Sequence, residues 1–436
     1  MMRPLVALVG RPNVGKSTLF NRLVGHRQAI VAAQPGLTRD RLYGITEWRG
    51  RELAVVDTAG LQSEGDGSPQ AQTRVAIKEA EIILLLLDTR AGLTPADQDV
   101  AALLRRSGRP VIVVANKADD RGRAYFEHEL LELGLGAVSR ISGQHGIGVD
   151  DLLDRILELL PPAEEVEERS AGGAKIAIMG RPNVGKSSLL NRLLGDERVV
   201  VSDLPGTTRD PVDTELNFDG LPVTLVDTAG IRRRTAARDQ LEHFSLLRGL
   251  QVMERSDVVL LVIEAQEGVL RQDQHVASYA LEAGRGVVVV VNKIDLVERP
   301  ERSLEQWRKR IRQEFKFAPY LPTITCSVSG GEGVGAILPA ALEVAGQRQV
   351  HIPTGELNRV LRELFAHRPP PSYKGKRLKL KYATQADSST PTIVLFVNDV
   401  GLLHWSYRRY LENHLRQSWS FVGNPLRLVL RASSPA

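Results

Sequence analysis

The sequence predicts an α/β protein in which one doubly wound, mostly parallel domain occurs twice, ahead of a smaller basic α/β domain. Three observations carry that prediction. The octapeptide Gly10 to Ser17 returns unchanged as Gly180 to Ser187, short apolar runs alternate with amphipathic stretches through both copies, and charge and rhythm change after residue 346. At ~150 residues per domain, 436 residues correspond to about three domains. Hydrophobic residues at 42% and charged residues at 25% are ordinary globular proportions, so the chain can bury a proper core. The single cysteine, Cys326, excludes a disulfide scaffold and a cysteine-based metal site.

In the first copy Leu5 to Val9, Leu53 to Val56, Ile82 to Leu87 and Val111 to Ala115 are strand-length apolar runs, the pattern of parallel strands buried on both faces. The offset between copies is 170 at Gly10 and Gly180, at the Pro-Gly-x-Thr-Arg-Asp segments beginning with Pro35 and Pro205, and at the Asp-Thr-Ala-Gly segments beginning with Asp57 and Asp227. It becomes 176 at Asn116 and Asn292, so the second copy carries about six extra residues in a loop. Residues 161–173, proline-bounded, acidic and then glycine-rich, read as a solvated linker. The expected domains are residues 1–160, residues 174–347 after the linker, and residues 348–436. In the last, helices over Leu357 to His367 and Tyr407 to Trp419 accompany strands over Arg377 to Tyr382, Thr392 to Val397 and Leu426 to Leu430. That makes an α-β-β-α-β unit on a three-stranded sheet. Alternation along its first strand predicts Arg377, Lys379 and Lys381 on one face and Leu378, Leu380 and Tyr382 buried on the other.

Charge is unevenly placed. Residues 346–436 hold 14 Lys or Arg against 5 Asp or Glu, a net of +9, which leaves −4 for the rest of a chain whose total is +5. A segment this basic either faces an anion, most often nucleic acid, or is a solvated surface. No apolar run approaches the ~18 residues that cross a bilayer, and Met1 to Gly10 leaves no room for a cleavable leader. The expectation is a cytoplasmic protein without membrane insertion.

Gly10, Arg11, Pro12, Asn13, Val14, Gly15, Lys16 and Ser17 follow a strand and precede an amphipathic segment that opens at Thr18. Gly180, Arg181, Pro182, Asn183, Val184, Gly185, Lys186 and Ser187, followed by Ser188, repeat the arrangement. This is the phosphate-loop pattern. Its glycines let the backbone curl so that N–H groups point at phosphate oxygens, its lysine reaches the β and γ phosphates, and its serine hydroxyl completes a Mg2+ shell. Asp57, with Thr58, Ala59 and Gly60, stands 41 residues after Lys16, and Asp227, with Thr228, Ala229 and Gly230, stands 41 after Lys186. These aspartates are placed to hold Mg2+, and the glycine amides to meet a γ-phosphate. Asn116, Lys117, Ala118 and Asp119 follow one strand, and Asn292, Lys293, Ile294 and Asp295 another. The aspartate can accept from the guanine N1–H and exocyclic amine, which adenine does not offer in that arrangement, so the nucleotide is GTP or GDP.

The residues after the two glycines are Leu61 and Ile231, where Ras-like enzymes keep a glutamine to orient water. Either both sites only bind nucleotide, or something else holds the attacking water. Arg232, Arg233 and Arg234 come next, and either meet an anionic partner or form a solvated loop.

The doubled motifs, together with the segment Lys374 to Gln385 (Lys-Gly-Lys-Arg-Leu-Lys-Leu-Lys-Tyr-Ala-Thr-Gln), resemble the tandem-domain bacterial GTPase family EngA, also called Der, over essentially the whole chain. The resemblance implies two P-loop GTPase domains, a KH-like C-terminal domain, hydrolysis of GTP to GDP and phosphate, and a role in assembly of the large (50S) ribosomal subunit. It implies switch threonines at Thr38 and Thr208, which join Ser17, Asp57, Ser187 and Asp227 around Mg2+. Lys16, Gly60, Lys186 and Gly230 would take part in catalysis. It implies guanine readers in the two Asn-Lys-x-Asp motifs and a last base-contacting loop at Ser142 and Gly143 and at Ser327 and Val328. Asn13 and Asn183 would help to bind K+ where an arginine finger's charge would otherwise sit. Departures from the family pattern are Gly143 and Val328, where alanine is usual, and Ala59, where a second glycine is often found. The implied partner is the large subunit and its 23S rRNA, met by the basic domain and by Arg232, Arg233 and Arg234, with the protein ribosome-associated and monomeric. From Gly346 onward there is no Gly-x-x-Gly, the loop that clamps single-stranded RNA in ordinary KH modules. The domain is therefore expected to dock between GTPase domains while touching RNA phosphates, or to be a packing module alone.

Overall fold

A computed structural model of the chain describes residues 3–28, 43–58, 77, 80–118, 130, 133–136, 138–160, 173–201, 213–228, 231, 244–298, 303–373 and 375–432. The described chain has two compact units, one holding described residues of 3–160 together with 244–249 and one holding described residues of 173–231 and 250–432.

The first unit runs β1 (Leu5–Val9), α1 (Lys16–Gln28), β2 (Tyr43–Trp48), β3 (Arg51–Asp57), β4 (Ile82–Asp88), α2 (Pro95–Arg105), β5 (Val111–Asn116), β6 (Val138–Arg140) and α3 (Val149–Leu159). The strands lie in the order β2-β3-β1-β4-β5-β6, parallel except for β2. β1 and β4 are buried at every residue, because a parallel sheet is covered on both faces, and so they read as unbroken apolar runs. α1 and α3 pack Phe20, Leu23, Leu152 and Ile156 into the core beside them. After β1 the chain first fills one side of the sheet and then, from β4, the other. The loop after β1 thus opens at the topological switch point, where open α/β sheets leave a crevice for a ligand.

The second unit repeats this plan with β7 (Ala174–Met179), α4 (Lys186–Leu194), β8 (Val199–Val201), β9 (Thr214–Phe218), β10 (Leu221–Val226), β11 (Val258–Glu264), α5 (Arg271–Glu282), β12 (Gly286–Asn292), α6 (Leu304–Glu314), β13 (Thr323–Thr325) and α7 (Ile337–Gln347). Its order is β13-β12-β11-β7-β10-β9-β8, so the second sheet gains an edge strand. β4 and β11 already correspond at the offset of 176, which places the extra residues of the second copy between β10 and β11.

The C-terminal part of this unit comprises α8 (Thr354–His367), a short hairpin of β14 (Ser372–Tyr373) and β15 (Lys376–Arg377), then β16 (Leu380–Gln385), β17 (Thr392–Val397), α9 (Trp405–Trp419) and β18 (Arg427–Ala432). The expected three-stranded sheet is there, β16-β17-β18, with β17 antiparallel to β16 and parallel to β18. Leu357 and Leu361 of α8 and Tyr407, Leu411 and Leu415 of α9 bury Ala383, Leu395 and Leu430 on one sheet face. One expectation fails. Leu378 is buried and Leu380 half-buried, but Tyr382 is 46% exposed, because the register with β17 shifts between Leu380 and Tyr382. The extra residue, Lys381, moves Tyr382 to the opposite face from the one that simple alternation assigns it.

This part is docked on the second sheet. Gly423 O accepts from Val287 N at the start of β12 (2.8 Å), Asn424 Nδ2 donates to Val344 O (2.8 Å), and Arg427 Nη2 donates to Glu282 O (3.0 Å). The Arg416 guanidinium lies 3.5 Å from the centre of the Tyr320 ring.

Candidate nucleotide-binding sites

Each phosphate loop starts as its strand ends and finishes as a helix begins. Asn13 (φ 66°) and Asn183 (φ 65°) sit in the left-handed region, which asparagine tolerates, and Gly15 (φ 98°) and Gly185 (φ 101°) follow there too. Gly15 O accepts from Leu19 N, and Gly185 O from Leu189 N, each at 2.9 Å, which starts the helix directly after the loop. The helix N-terminus is thereby presented to an anion. Lys16 Nζ donates to Gly10 O (2.6 Å) and Arg11 O (2.7 Å), lying across the loop it would serve; Lys186 Nζ bonds Gly180 O (2.8 Å) and Arg181 O in the same way. Burial lowers the pKa of the Lys16 ammonium, and the Asp57 carboxylate opposes that shift.

Ser17 Oγ donates to Asp57 Oδ2 at 2.6 Å. A hydroxyl and a carboxylate brought together beside the phosphate-loop lysine are hard oxygen ligands, a donor set that fits Mg2+. In the second copy the corresponding groups differ. Ser187 Oγ donates to Ile231 O (3.1 Å), while Asp227 takes a left-handed φ of 57° and its N–H donates to Asp213 Oδ1 (2.9 Å). Ile231 itself is buried in the apolar core, so its side chain cannot position water.

The guanine motifs are braced to the phosphate loops. Asn116 Nδ2 donates to Val14 O (2.8 Å), and Asn116 Oδ1 accepts from Gly143 N (3.0 Å). Asn292 does the same between Val184 O (2.9 Å) and Val328 N (3.1 Å). One buried amide in each copy thus ties together the phosphate loop, the Asn-Lys-x-Asp strand and the last loop. Because these last-loop contacts use backbone N–H, glycine or valine serves in place of alanine. Lys117 Nζ donates to Asn13 O (2.9 Å) and pairs with Asp88 Oδ2 (2.7 Å); Lys293 Nζ pairs with Glu264 Oε2 (2.6 Å). Burial works to raise the Asp88 carboxyl, but the bond and charge of Lys117 prevail and hold it below its ordinary value. Cys326 is buried and lies 3.7 Å from Asn292 Oδ1; burial pushes its thiol up to about 12, so at neutral pH it is an uncharged packing group.

Sequence reasoning missed two acids. Asp97, at the third position of α2, closes a capping box with Thr94 and meets Arg11 Nε at 3.3 Å. Asp273, equivalently placed in α5, takes Arg181 Nε on both oxygens at 3.1 Å, and Arg181 also pairs with Glu267. The second residue of each phosphate loop is therefore anchored by a buried carboxylate on a neighbouring helix. The signal was in the repeat: Asp97 and Asp273 share the offset of 176 and are each followed by glutamine. Thr38, Ala59, Gly60, Leu61, Asp119, Thr208, Ala229, Gly230 and Arg232 to Arg234 lie outside the described residues. So does residue 161–172 of the linker. Among the described residues no group of three or more His, Cys, Asp or Glu side chains could hold a metal, and no helix is long and apolar enough to cross a membrane.

Comparison with known proteins agrees with this geometry. A family model described as "50S ribosome-binding GTPase" matches residues 5–117 and 175–293, and one described as "KH-domain-like of EngA bacterial GTPase enzymes, C-terminal" matches residues 351–431. The GTPase Der of Moorella thermoacetica is 48% identical over 435 residues, covering 99% of each chain. That of Chloroflexus aggregans is 48% identical over 446 residues, covering 99% of this chain and 98% of its own.

Proposed function

The chain belongs to the Der (EngA) family of GTPases, and on that premise we propose that its GTP cycle controls association with the large (50S) ribosomal subunit and 23S rRNA during subunit assembly. The observation that carries this reading is the joining, within one compact unit, of a guanine-nucleotide site and a basic domain. Val287, where Gly423 docks, and Asn292, which braces the phosphate loop, lie on the same strand, β12. A change at the nucleotide therefore has a rigid element through which to reach the domain that would face RNA.

At each site the phosphate-loop amides and Lys16 or Lys186 hold the β and γ phosphates. Ser17, Thr38 and Asp57, or Ser187, Thr208 and Asp227, would hold Mg2+, which neutralises charge developing on the phosphates. The Gly60 and Gly230 amides meet the γ-phosphate, and Asp119 and Asp295 select guanine. The proposed domains are residues 1–160, 174–347 and 348–436 on either side of the linker at 161–173. The protein acts as a cytoplasmic monomer, with Arg232, Arg233 and Arg234 as further RNA contacts.

Since Leu61 and Ile231 cannot hold water, the charge that completes the site is assigned to K+, bound with the help of Asn13 and Asn183. In support, both asparagines are exposed at the loop tip, and the main-chain oxygen of Asn13 is already engaged by Lys117. That leaves its side-chain amide oxygen as the group assigned to the ion. Phosphate release should be several-fold faster in KCl than in NaCl at matched ionic strength, and Asn13→Ala or Asn183→Ala should reduce that difference. Equal rates in the two salts would remove K+ from the account, and absence of phosphate release would leave a protein that only binds GTP.

A further inference from the structure

The face of the C-terminal sheet opposite α8 and α9 carries side chains that its own core does not use. The shift at Lys381 puts Tyr382 directly across from Phe396 on β17, and Phe396 directly across from Arg431 on β18. These three residues form one row across the sheet. The two rings lie 6.0 Å apart, centre to centre, and are tilted by 43°. Tyr382 is 46% exposed, Arg431 is exposed and Phe396 half-buried, and neither aromatic belongs to the cluster that α8 and α9 close. The neighbouring rows on this face are Thr384, Val394 and Val429, then Thr392 and Arg427, so no strand position on it is acidic. Lys379 and Lys381 are exposed beside Tyr382, in a segment whose net charge is +9.

Thr392 and Val394 are buried and Arg427 is engaged by Glu282 O, so the open part of this face is the row of Tyr382, Phe396 and Arg431. Aromatic rings at that open end, bordered by cations and with no carboxylate on the strand positions, match the chemistry of an unpaired nucleobase and its phosphate. Bases stack on the rings regardless of sequence, while guanidinium and ammonium groups follow the backbone. A duplex hides its base faces and could use only the cations. We propose that this face is a stacking platform for single-stranded RNA, with Tyr382 and Phe396 receiving bases and Arg431 and Lys381 receiving phosphates. The inference rests on the reading that this protein engages ribosomal RNA, and it supplies a single-strand contact that does not depend on a Gly-x-x-Gly loop.

The test is fluorescence anisotropy of the full-length protein with a short mixed-sequence single-stranded RNA and with the same sequence as a duplex, across a salt series. Loss of one stacked base weakens binding by about 5- to 150-fold. Tyr382→Ala should show a loss in that range for the single strand, with little change for the duplex and an unchanged salt dependence. Tyr382→Phe should restore binding, since the ring is what stacks, and Arg431→Ala should instead reduce the salt dependence. Three outcomes would overturn the proposal: single-strand binding by Tyr382→Ala equal to the parent, equal losses for single strand and duplex, or no single-strand binding by the parent protein. Association of the parent with isolated large subunits, measured alongside, keeps the two claims apart. If it persists while the oligonucleotide result is negative, the platform fails and the ribosomal reading stands.

Discussion

At the scale of single residues, the glycines that close each phosphate loop are held by both backbone conformation and a close neighbour. A Cβ on Gly15 would lie 2.3 Å from Asn116 Nδ2, and one on Gly185 2.3 Å from Asn292 Nδ2, at φ values of 98° and 101°. The asparagine cannot yield, because its amide holds Val14 O or Val184 O on one side and the last loop on the other. Left-handed backbone alone costs an L-residue roughly 1–2 kcal/mol, or about five- to thirtyfold in an equilibrium, before any clash. Gly15→Ala or Gly185→Ala should thus weaken binding of a fluorescent GTP analogue at its own site by at least about tenfold while the other site keeps its affinity. Unchanged affinity at the altered site would show that the asparagine brace does not shape the loop.

At the scale of elements, the phosphate loop of the second copy is positioned from outside itself, by Arg181 against Asp273 on α5. The Asp273 side chain has no exposure, and burial raises its carboxyl pKa against the pull of the Leu270 N–H and the Arg181 guanidinium. Removing one member of a buried pair costs about 3–5 kcal/mol, because the other charge is stranded. Arg181→Ala should therefore lower the denaturation midpoint of this unit. A carboxyl with a raised pKa in the folded state holds its proton more tightly there than at its ordinary value of 3.8. Acidification through the window above 3.8 therefore favours the folded form, and more so in the variant, where loss of the Arg181 guanidinium removes a lowering pull on the carboxyl, so the deficit of the variant should shrink as pH falls. A midpoint equal to the parent at neutral pH would contradict the anchoring role. Elements differ in how readable they were. Ile82 to Leu87 and Val111 to Ala115 announced strands because parallel strands buried on both faces leave unbroken apolar runs. Tyr382 was misplaced because a bulge depends on pairing with β17, which the local pattern of β16 does not encode. The Arg181–Asp273 contact spans 92 residues, and only the repeat could have suggested it.

At the scale of the whole molecule, duplication made the sequence unusually legible, since a motif found twice at a fixed offset is its own control. The strands and helices that flank the phosphate loops and the guanine motifs are where the residues indicated, and the C-terminal part has the expected α-β-β-α-β order, with its first sheet strand at Leu380–Gln385 instead of Arg377 to Tyr382. The docking of that unit on the second GTPase domain, through Gly423 on β12, Asn424 on α7 and Arg427 on α5, was not readable, because it uses backbone carbonyls that carry no sequence signature. It is this joint that gives the nucleotide site a mechanical connection to a basic surface. The most direct test is co-sedimentation of the purified protein with isolated large ribosomal subunits, at one fixed salt concentration, with a non-hydrolysable GTP analogue, with GDP and without nucleotide. Salt must be held constant because phosphate contacts weaken steeply as it rises. The account predicts strong association with the GTP analogue and much weaker association in the other two conditions. Association that is absent, or indifferent to the nucleotide, would contradict it.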